Sequence, residues 1–199
     1  MPNYKLTYFN MKGRGELIRY IFAYMNAEYK DIRIERGNWP AIKPSIPYGK
    51  LPVLEVDGVI LHQSLAIGRY LARKAGLSGK TDLDDAHIDA LLDSIDDFIA
   101  AFPRSYKVDA ESKKKQDEFL KTAAPPLLDE LEKSLGDKQW FVGDSVSLVD
   151  FYWDTFSEDL ECFHADFAKD YHKLQALKKR VRAIPAIAAW IKRRPITKL

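Results

Sequence analysis

Strand-like runs crowd into the first part of this chain, and none of comparable quality follows Lys80, where the pattern changes to long helices. That single change of period predicts an α/β unit followed by an all-helical one. Tyr4 to Phe9 mixes apolar and β-prone residues over strand length, and from Glu16 the apolar Leu17, Ile18, Ile21, Phe22 and Met25 recur at helical spacing. Ile32 and Ile34 alternate with charged neighbours, so the opening segment reads as a βαβ unit with parallel strands. Val53-Leu54-Glu55-Val56 and Val59-Ile60-Leu61-His62 are separated by Asp57-Gly58, the dipeptide that supplies positive φ for a two-residue hairpin. Ser64 then opens a helix carrying Leu65, Gly68, Leu71, Ala72 and Ala75.

Ala75-Gly76-Leu77-Ser78-Gly79 breaks that helical pattern, which sets an expected division into residues 1–79 and 80–199. In the second part Ile88, Leu91, Leu92, Ile95, Phe98, Ile99 and Phe102 form one apolar helix face. Further helices are predicted near residues 113–135, 147–163, 173–183 and 186–193, with Pro125-Pro126 expected to kink or restart the first of them. No internal repeat or low-complexity tract interrupts this plan.

With 46% hydrophobic and 30% charged residues, a chain of 199 residues can bury a proper core. No run has the length of a signal peptide or a membrane span, so a cytoplasmic protein without membrane insertion is expected. A single cysteine, Cys162, excludes an internal disulfide and reads as a small buried hydrophobe. The formal net charge of +2 argues against a dedicated nucleic-acid binder. From Tyr171 onward there is no acidic residue, while Lys178, Lys179, Arg180, Arg182, Lys192, Arg193 and Arg194 are basic; they read as solvated helix faces.

Some residues carry local chemistry. Ser64, at a helix start, offers its hydroxyl and the first unpaired amides as a cradle for a carboxylate, or serves as a plain N-cap. Asp89, Asp93 and Asp97 recur every four residues beside Asp96, and like charges at that spacing repel by about 0.2 to 0.5 kcal/mol per pair, so the stripe calls for a counter-charge. Ser147-Leu148-Val149-Asp150 has the form of a capping box before Phe151, Tyr152 and Trp153.

The order of elements, together with several specific stretches, resembles the cytosolic glutathione transferases of the sigma class along the whole chain. The stretches are Tyr4-Lys5-Leu6-Thr7-Tyr8-Phe9, Gly13-Arg14 with Glu16 and Arg19-Tyr20, Gly49-Lys50-Leu51-Pro52-Val53-Leu54, Gln63-Ser64-Leu65-Ala66-Ile67 and Pro185-Ala186-Ile187. Met1-Pro2-Asn3-Tyr4, Asp96-Asp97-Phe98 and Trp190-Ile191-Lys192-Arg193-Arg194-Pro195 extend the similarity to the prostaglandin-synthesising members of the class. The resemblance implies an α/β thioredoxin-like amino-terminal domain followed by an all-α helical domain. It also implies a homodimeric enzyme that conjugates glutathione to hydrophobic electrophiles and isomerises prostaglandin H2 to prostaglandin D2. Where a thioredoxin would need Cys-X-X-Cys, this chain has Met11-Lys12-Gly13-Arg14, so the reactive sulfur must come from the ligand.

A thiol has a reference pKa near 8.5, and lowering it by roughly two units is worth about 2.7 kcal/mol of thiolate stabilisation. By the resemblance, Tyr8 supplies a phenol hydrogen bond for that purpose and Arg14 helps to orient it, although a strand tyrosine taken alone reads as packing. Gln63 and Ser64 would hold the γ-glutamyl end, Leu51 before a cis-Pro52 the cysteinyl backbone, and Trp39, Lys43 and Lys50 the glycyl end. Asp93, Asp96 and Asp97 match acidic residues that face their mates across a dimer axis and bind Mg²⁺ or Ca²⁺, and Asp97 would reach the partner's glutathione amine.

The implied pocket for the second substrate comprises Phe9, Met11, Gly13, Asp96, Ile99, Arg104, Tyr152 and Leu199. Arg104 departs from the prostaglandin-synthesising pattern, which has a large aromatic residue there, and Thr155, Phe156 and Asp159 depart as well. Arg104 is expected to point to solvent, the usual place for an arginine, which leaves a wider pocket; the alternative is that it points into the pocket and pairs with a substrate carboxylate. The rival readings are a crystallin-like structural protein and a non-catalytic carrier of hydrophobic ligands.

Overall fold

The computed structural model describes residues 2–105 and 109–197. They form two compact units, one built from the residues up to Ser78 together with those from Arg182, the other from Gly79–Val181.

The first unit holds a four-stranded mixed sheet in the order β2-β1-β3-β4, with β1 Tyr4–Phe9, β2 Lys30–Ile34, β3 Val53–Val56 and β4 Val59–His62. β1 and β2 pair in parallel, as the βαβ reading requires, and β3 pairs antiparallel with both β1 and β4. Alternation along β1 buries Tyr4, Leu6 and Tyr8 on one face. In β2, Ile34 is buried while Ile32 stays 44% exposed. Asp57 and Gly58 have φ of 49° and 88°, the pair of positive values that a type I′ hairpin turn needs. Helices α1 Gly13–Tyr24 and α3 Ser64–Ala75 pack together. Between β2 and β3 lies α2 Trp39–Ile42 among short 3₁₀ turns, a segment without readable periodicity.

The second unit is built from α4 Asp82–Ala101, α5 Ala110–Leu135, α6 Leu148–Glu161 and nearly all of α7 His172–Arg182; α8 Pro185–Arg193 packs on α1 in the first. Thr81 caps α4 reciprocally with Asp84. The apolar face of α4 buries Ile88, Leu92, Ile95, Phe98 and Ile99, with Leu91 half-buried at its edge. Phe98 meets Phe119 and Phe156 at ring-centroid distances of 5.1 and 5.8 Å, and Phe156 meets Phe167 at 5.7 Å. Such aromatic pairs add about 0.5 to 1.5 kcal/mol each beyond their buried area.

Three expectations are corrected. Of the kink or restart expected at Pro125-Pro126, the restart is overturned: helix α5 runs 26 residues through them, and Leu120, Ala124, Leu128, Leu131 and Leu135 make one buried face on both sides of the prolines. Tertiary burial there outweighs the lost backbone donors. Cys162 is exposed, since it caps α6 just beyond its buried turns. The basic stretch is not simply solvated. Lys178 is buried against Glu161 at 2.6 Å, Arg180 lies over the ring of Trp140, and Arg194 pairs with Glu16 at 3.0 Å.

The expected capping box forms at α6. Its Asp150 is fully buried and accepts from the N–H of Phe141 at 3.0 Å, the N–H of Ser147 at 2.7 Å and the Ser147 hydroxyl at 2.9 Å. Burial outweighs these bonds and pushes the carboxyl up from its ordinary 3.8 to about 6. Between those values the folded protein keeps a proton that the unfolded chain has released. The stability tied to this group is therefore complete below about pH 4 and is lost as pH rises towards 6. Urea denaturation should show the wild type losing on the order of 2 to 3 kcal/mol relative to Asp150→Asn between pH 4 and 6.5. Parallel stability curves for the two proteins would mean that Asp150 titrates as it does in the unfolded chain.

Candidate active site

Tyr8 lies near the end of β1 with its ring turned into the protein, only 6% exposed. The first turn of α1 comes unusually close to it. A Cβ placed on Gly15 would lie 2.5 Å from the ring's Cδ1, and one on Gly13 would lie 2.8 Å from the phenol oxygen. Gly13 also has φ of +42°, a conformation that other L-residues rarely adopt. These two glycines let the helix terminus lie against the phenol. The Arg14 backbone N–H donates to the phenol oxygen at 3.1 Å. An N–H donated to the oxygen fixes where the phenol lies and withdraws electron density from it, which strengthens the hydroxyl as a hydrogen-bond donor. The amide and the first-turn dipole both favour negative charge at this point.

Arg14 orients the phenol through its backbone, while its guanidinium donates to the Ser64 hydroxyl at 3.3 Å. Ser64 is buried at the amino terminus of α3, so the carboxylate cradle expected there has an arginine beside it. The preceding Gln63 is exposed and has φ of 71°, and the Leu51–Pro52 peptide is cis. Lys43 packs its stem over Gly49, and Lys50 is exposed next to it. The ring of Trp39 meets Phe9 edge-on at 5.3 Å, and Phe9 meets Tyr8 at 5.7 Å. Met11 is buried, with the Arg36 guanidinium 3.4 Å from its sulfur. Tyr8, Arg14, Gly13 and Ser64 are thus joined by direct contacts, and Phe9 and Trp39 by a ring chain. The two lysines lie along the turn that follows α2.

In the helical unit, the Tyr152 hydroxyl donates to Asp96 at 2.7 Å, while Asp93 and Asp97 are exposed on α4. Ile99 is buried on the same helix. Among the described residues no group of three or more His, Cys, Asp or Glu side chains could hold a metal ion within one chain. The expectation that Arg104 points to solvent is corrected. Its side chain is 24% exposed and its guanidinium donates to Asp159 at 2.8 Å. Arg104 and Asp159, each expected from the resemblance to be a departure, are therefore one ion pair, and a half-buried guanidinium takes the carboxylate nearest to it. Leu199 lies outside the described residues.

Sequence reasoning missed the buried group beneath Tyr8. Arg19, wholly buried, has its guanidinium carbon 5.9 Å from the Tyr8 ring centroid and pairs with Glu16 at 3.1 Å and Asp31 at 3.1 Å. Glu16 also accepts from Trp190 at 2.8 Å and Arg194 at 3.0 Å on and just after α8. The signal available was an acid and a base three residues apart on an otherwise apolar helix.

The chain matches the family described as "Glutathione S-transferase, N-terminal domain" over residues 4–73 and "Glutathione S-transferase, C-terminal domain" over residues 96–194. It is 55% identical to the hematopoietic prostaglandin D synthase of Gallus gallus, covering 99% of each chain. It is 50% identical to that of Homo sapiens over 100% of both. A solved structure of the rat hPGDS complexed with a quinoline superposes with a TM-score of 0.94 at 50% identity, covering 100% of both chains.

Gly15→Ala puts a methyl group inside the contact distance of the Tyr8 ring, and overpacking of this kind costs about 1 to 3 kcal/mol. Chemical denaturation should show that loss, although alanine is the better helix former at an unstrained position. A neutral or stabilising result would mean that the ring has room to move.

Proposed function

The chain belongs to the glutathione S-transferase family, and from that premise we propose that it is an enzyme that activates the thiol of glutathione at Tyr8. It conjugates the sulfur to hydrophobic electrophiles and also isomerises prostaglandin H2 to prostaglandin D2. The observation that carries this reading is the Arg14 N–H donated to the Tyr8 oxygen, which fixes the phenol at the start of α1 and favours negative charge beside it. Glutathione, as substrate, supplies the nucleophilic sulfur that a chain with no Cys-X-X-Cys lacks.

Tyr8 holds its proton towards the sulfur and stabilises the charge that develops there; Arg14 and Ser64 receive a carboxylate at the start of α3. Gln63 joins Ser64 in holding that end, Leu51 offers its backbone to the peptide, and Trp39, Lys43 and Lys50 address the far carboxylate. Residues 1–79 form the glutathione-binding domain in this reading. Residues 80–199 are assigned the helical domain with the hydrophobic pocket and the dimer contacts, the part from Arg182 being the one that packs with the first unit. For the second substrate the reading assigns Phe9, Met11 and Gly13 in the first unit and Asp96, Ile99, Arg104 and Tyr152 in the second. The Arg104–Asp159 pair bears on selectivity, because a guanidinium already held by a carboxylate attracts a substrate carboxylate less. A structural or carrier role would require neither the Arg14-to-phenol bond nor the arginine beside Ser64.

The protein acts in the cytoplasm; no described helix is long and apolar enough to cross a membrane. It works as a homodimer in which the α4 carboxylates of Asp93, Asp96 and Asp97 meet their mates near the two-fold axis, where Mg²⁺ or Ca²⁺ relieves their repulsion. Asp97 reaches the partner's glutathione amine. The Tyr152 hydroxyl, by fixing the Asp96 carboxylate, reduces the ordering cost of such a site.

Ultraviolet titration of the bound thiolate, together with assays on a small aromatic electrophile and on prostaglandin H2, tests the reading. Tyr8→Phe is expected to keep the fold and glutathione binding but to lower kcat by about a hundredfold or more, since the bond it removes matters mainly when the sulfur is anionic. An unchanged thiol pKa in that variant would take Tyr8 out of its role. For the metal, calorimetry should detect Mg²⁺ or Ca²⁺ binding that Asp96→Asn abolishes; equal heats from both proteins would rule the site out.

A further inference from the structure

We propose that Arg19 is a positioning residue for Tyr8: its planar fork sets where the first turn of α1 lies, and so where the Arg14 N–H meets the phenol. The inference rests on the glutathione reading for its catalytic consequence but on geometry alone for its mechanism. Arg19 is wholly buried, and each of its bonds ties down a different piece of chain around Tyr8. One Nη1 hydrogen-bonds the Met11 carbonyl at 2.7 Å, which fixes the loop between β1 and α1. The same nitrogen meets Glu16 at 3.1 Å, within the first turn of the helix that carries Arg14. Its Nε meets Asp31 at 3.1 Å on β2, the strand paired in parallel with β1.

The loop, the helix start and the neighbouring strand thus converge on one side chain. The guanidinium then lies 5.9 Å from the ring centroid of Tyr8, four residues along α1 from Gly15, which touches the same ring. Residues four apart share a helix face, so Gly15 and Arg19 form one surface against which the ring rests. The partners are themselves held. Glu16 accepts from Trp190 and Arg194, and Asp31 accepts from Arg33 at 2.8 Å. A flexible ammonium could keep the charge but not this set of directions, because only a guanidinium presents several donors in a rigid plane.

Arg19→Lys separates geometry from charge. It is expected to stay folded by circular dichroism, to move the Arg14 amide resonance part of the way towards its position in Tyr8→Phe, and to raise the bound thiol pKa by about one unit. kcat should fall roughly tenfold to a hundredfold, as misplacement of a catalytic group does, with little change in KM for glutathione. A merely structural role would lower thermal stability and leave the amide, the thiol pKa and kcat where they were. That outcome, or full rescue by lysine, overturns the proposal. If Arg19→Lys does not fold, Asp31→Asn loosens the Nε contact at a partly exposed position, and an unmoved Arg14 amide there overturns it equally. The amide measurement needs no glutathione. A wild type that forms no thiolate therefore sinks the glutathione reading, while the amide shift still judges the positioning by Arg19.

Discussion

The backbone of the first turn of α1 lies so close to Tyr8 that a Cβ would not fit between them, and Gly13 and Gly15 provide that gap. The rest of the site depends on this approach. It brings the Arg14 N–H to the phenol oxygen and lets the Arg14 side chain extend to Ser64 at the start of α3. It also explains why β1 must bury Tyr8 on the same face as Leu6: the opposite register would turn the phenol away from the helix terminus.

Both compact units place charge where water cannot reach it. Glu16 and Arg19 are nearly inaccessible and share a network that reaches α8, while Asp150 is enclosed at the start of α6 and Lys178 is covered beside Glu161. Buried ion pairs contribute little net stability, because desolvation cancels most of their attraction, yet deleting one partner costs several kcal/mol. Such groups therefore enforce one arrangement more than they strengthen it. In the first unit the arrangement enforced is that of the helix over Tyr8. In the second it is the connection into α6, whose aromatic side chains fill the core.

The pairing of Arg104 with Asp159 shows how two unusual residues 55 positions apart can express one physical fact. Each taken alone is a charged residue in a largely covered place. Together they neutralise each other in a half-buried place, which leaves the end of α4 tied to α6.

By itself the sequence determined the order of strands and helices, the Asp57-Gly58 hairpin, the break after Ala75 and the α6 cap, because these follow from periodicity and turn chemistry within a few residues. Ser64 stood out locally by its place at a helix start, whereas Tyr8 and Arg14 were singled out only by the resemblance to a known family. Tertiary structure alone decided the continuity of α5 through its prolines, the burial of Lys178, and the partners of Arg104, Glu16 and Arg19. The physical reason is common to all of these. A prolyl helix, a buried ammonium or a buried guanidinium is unfavourable on local grounds, and only contacts from residues distant in the chain, such as Trp190 with Glu16, offset that cost.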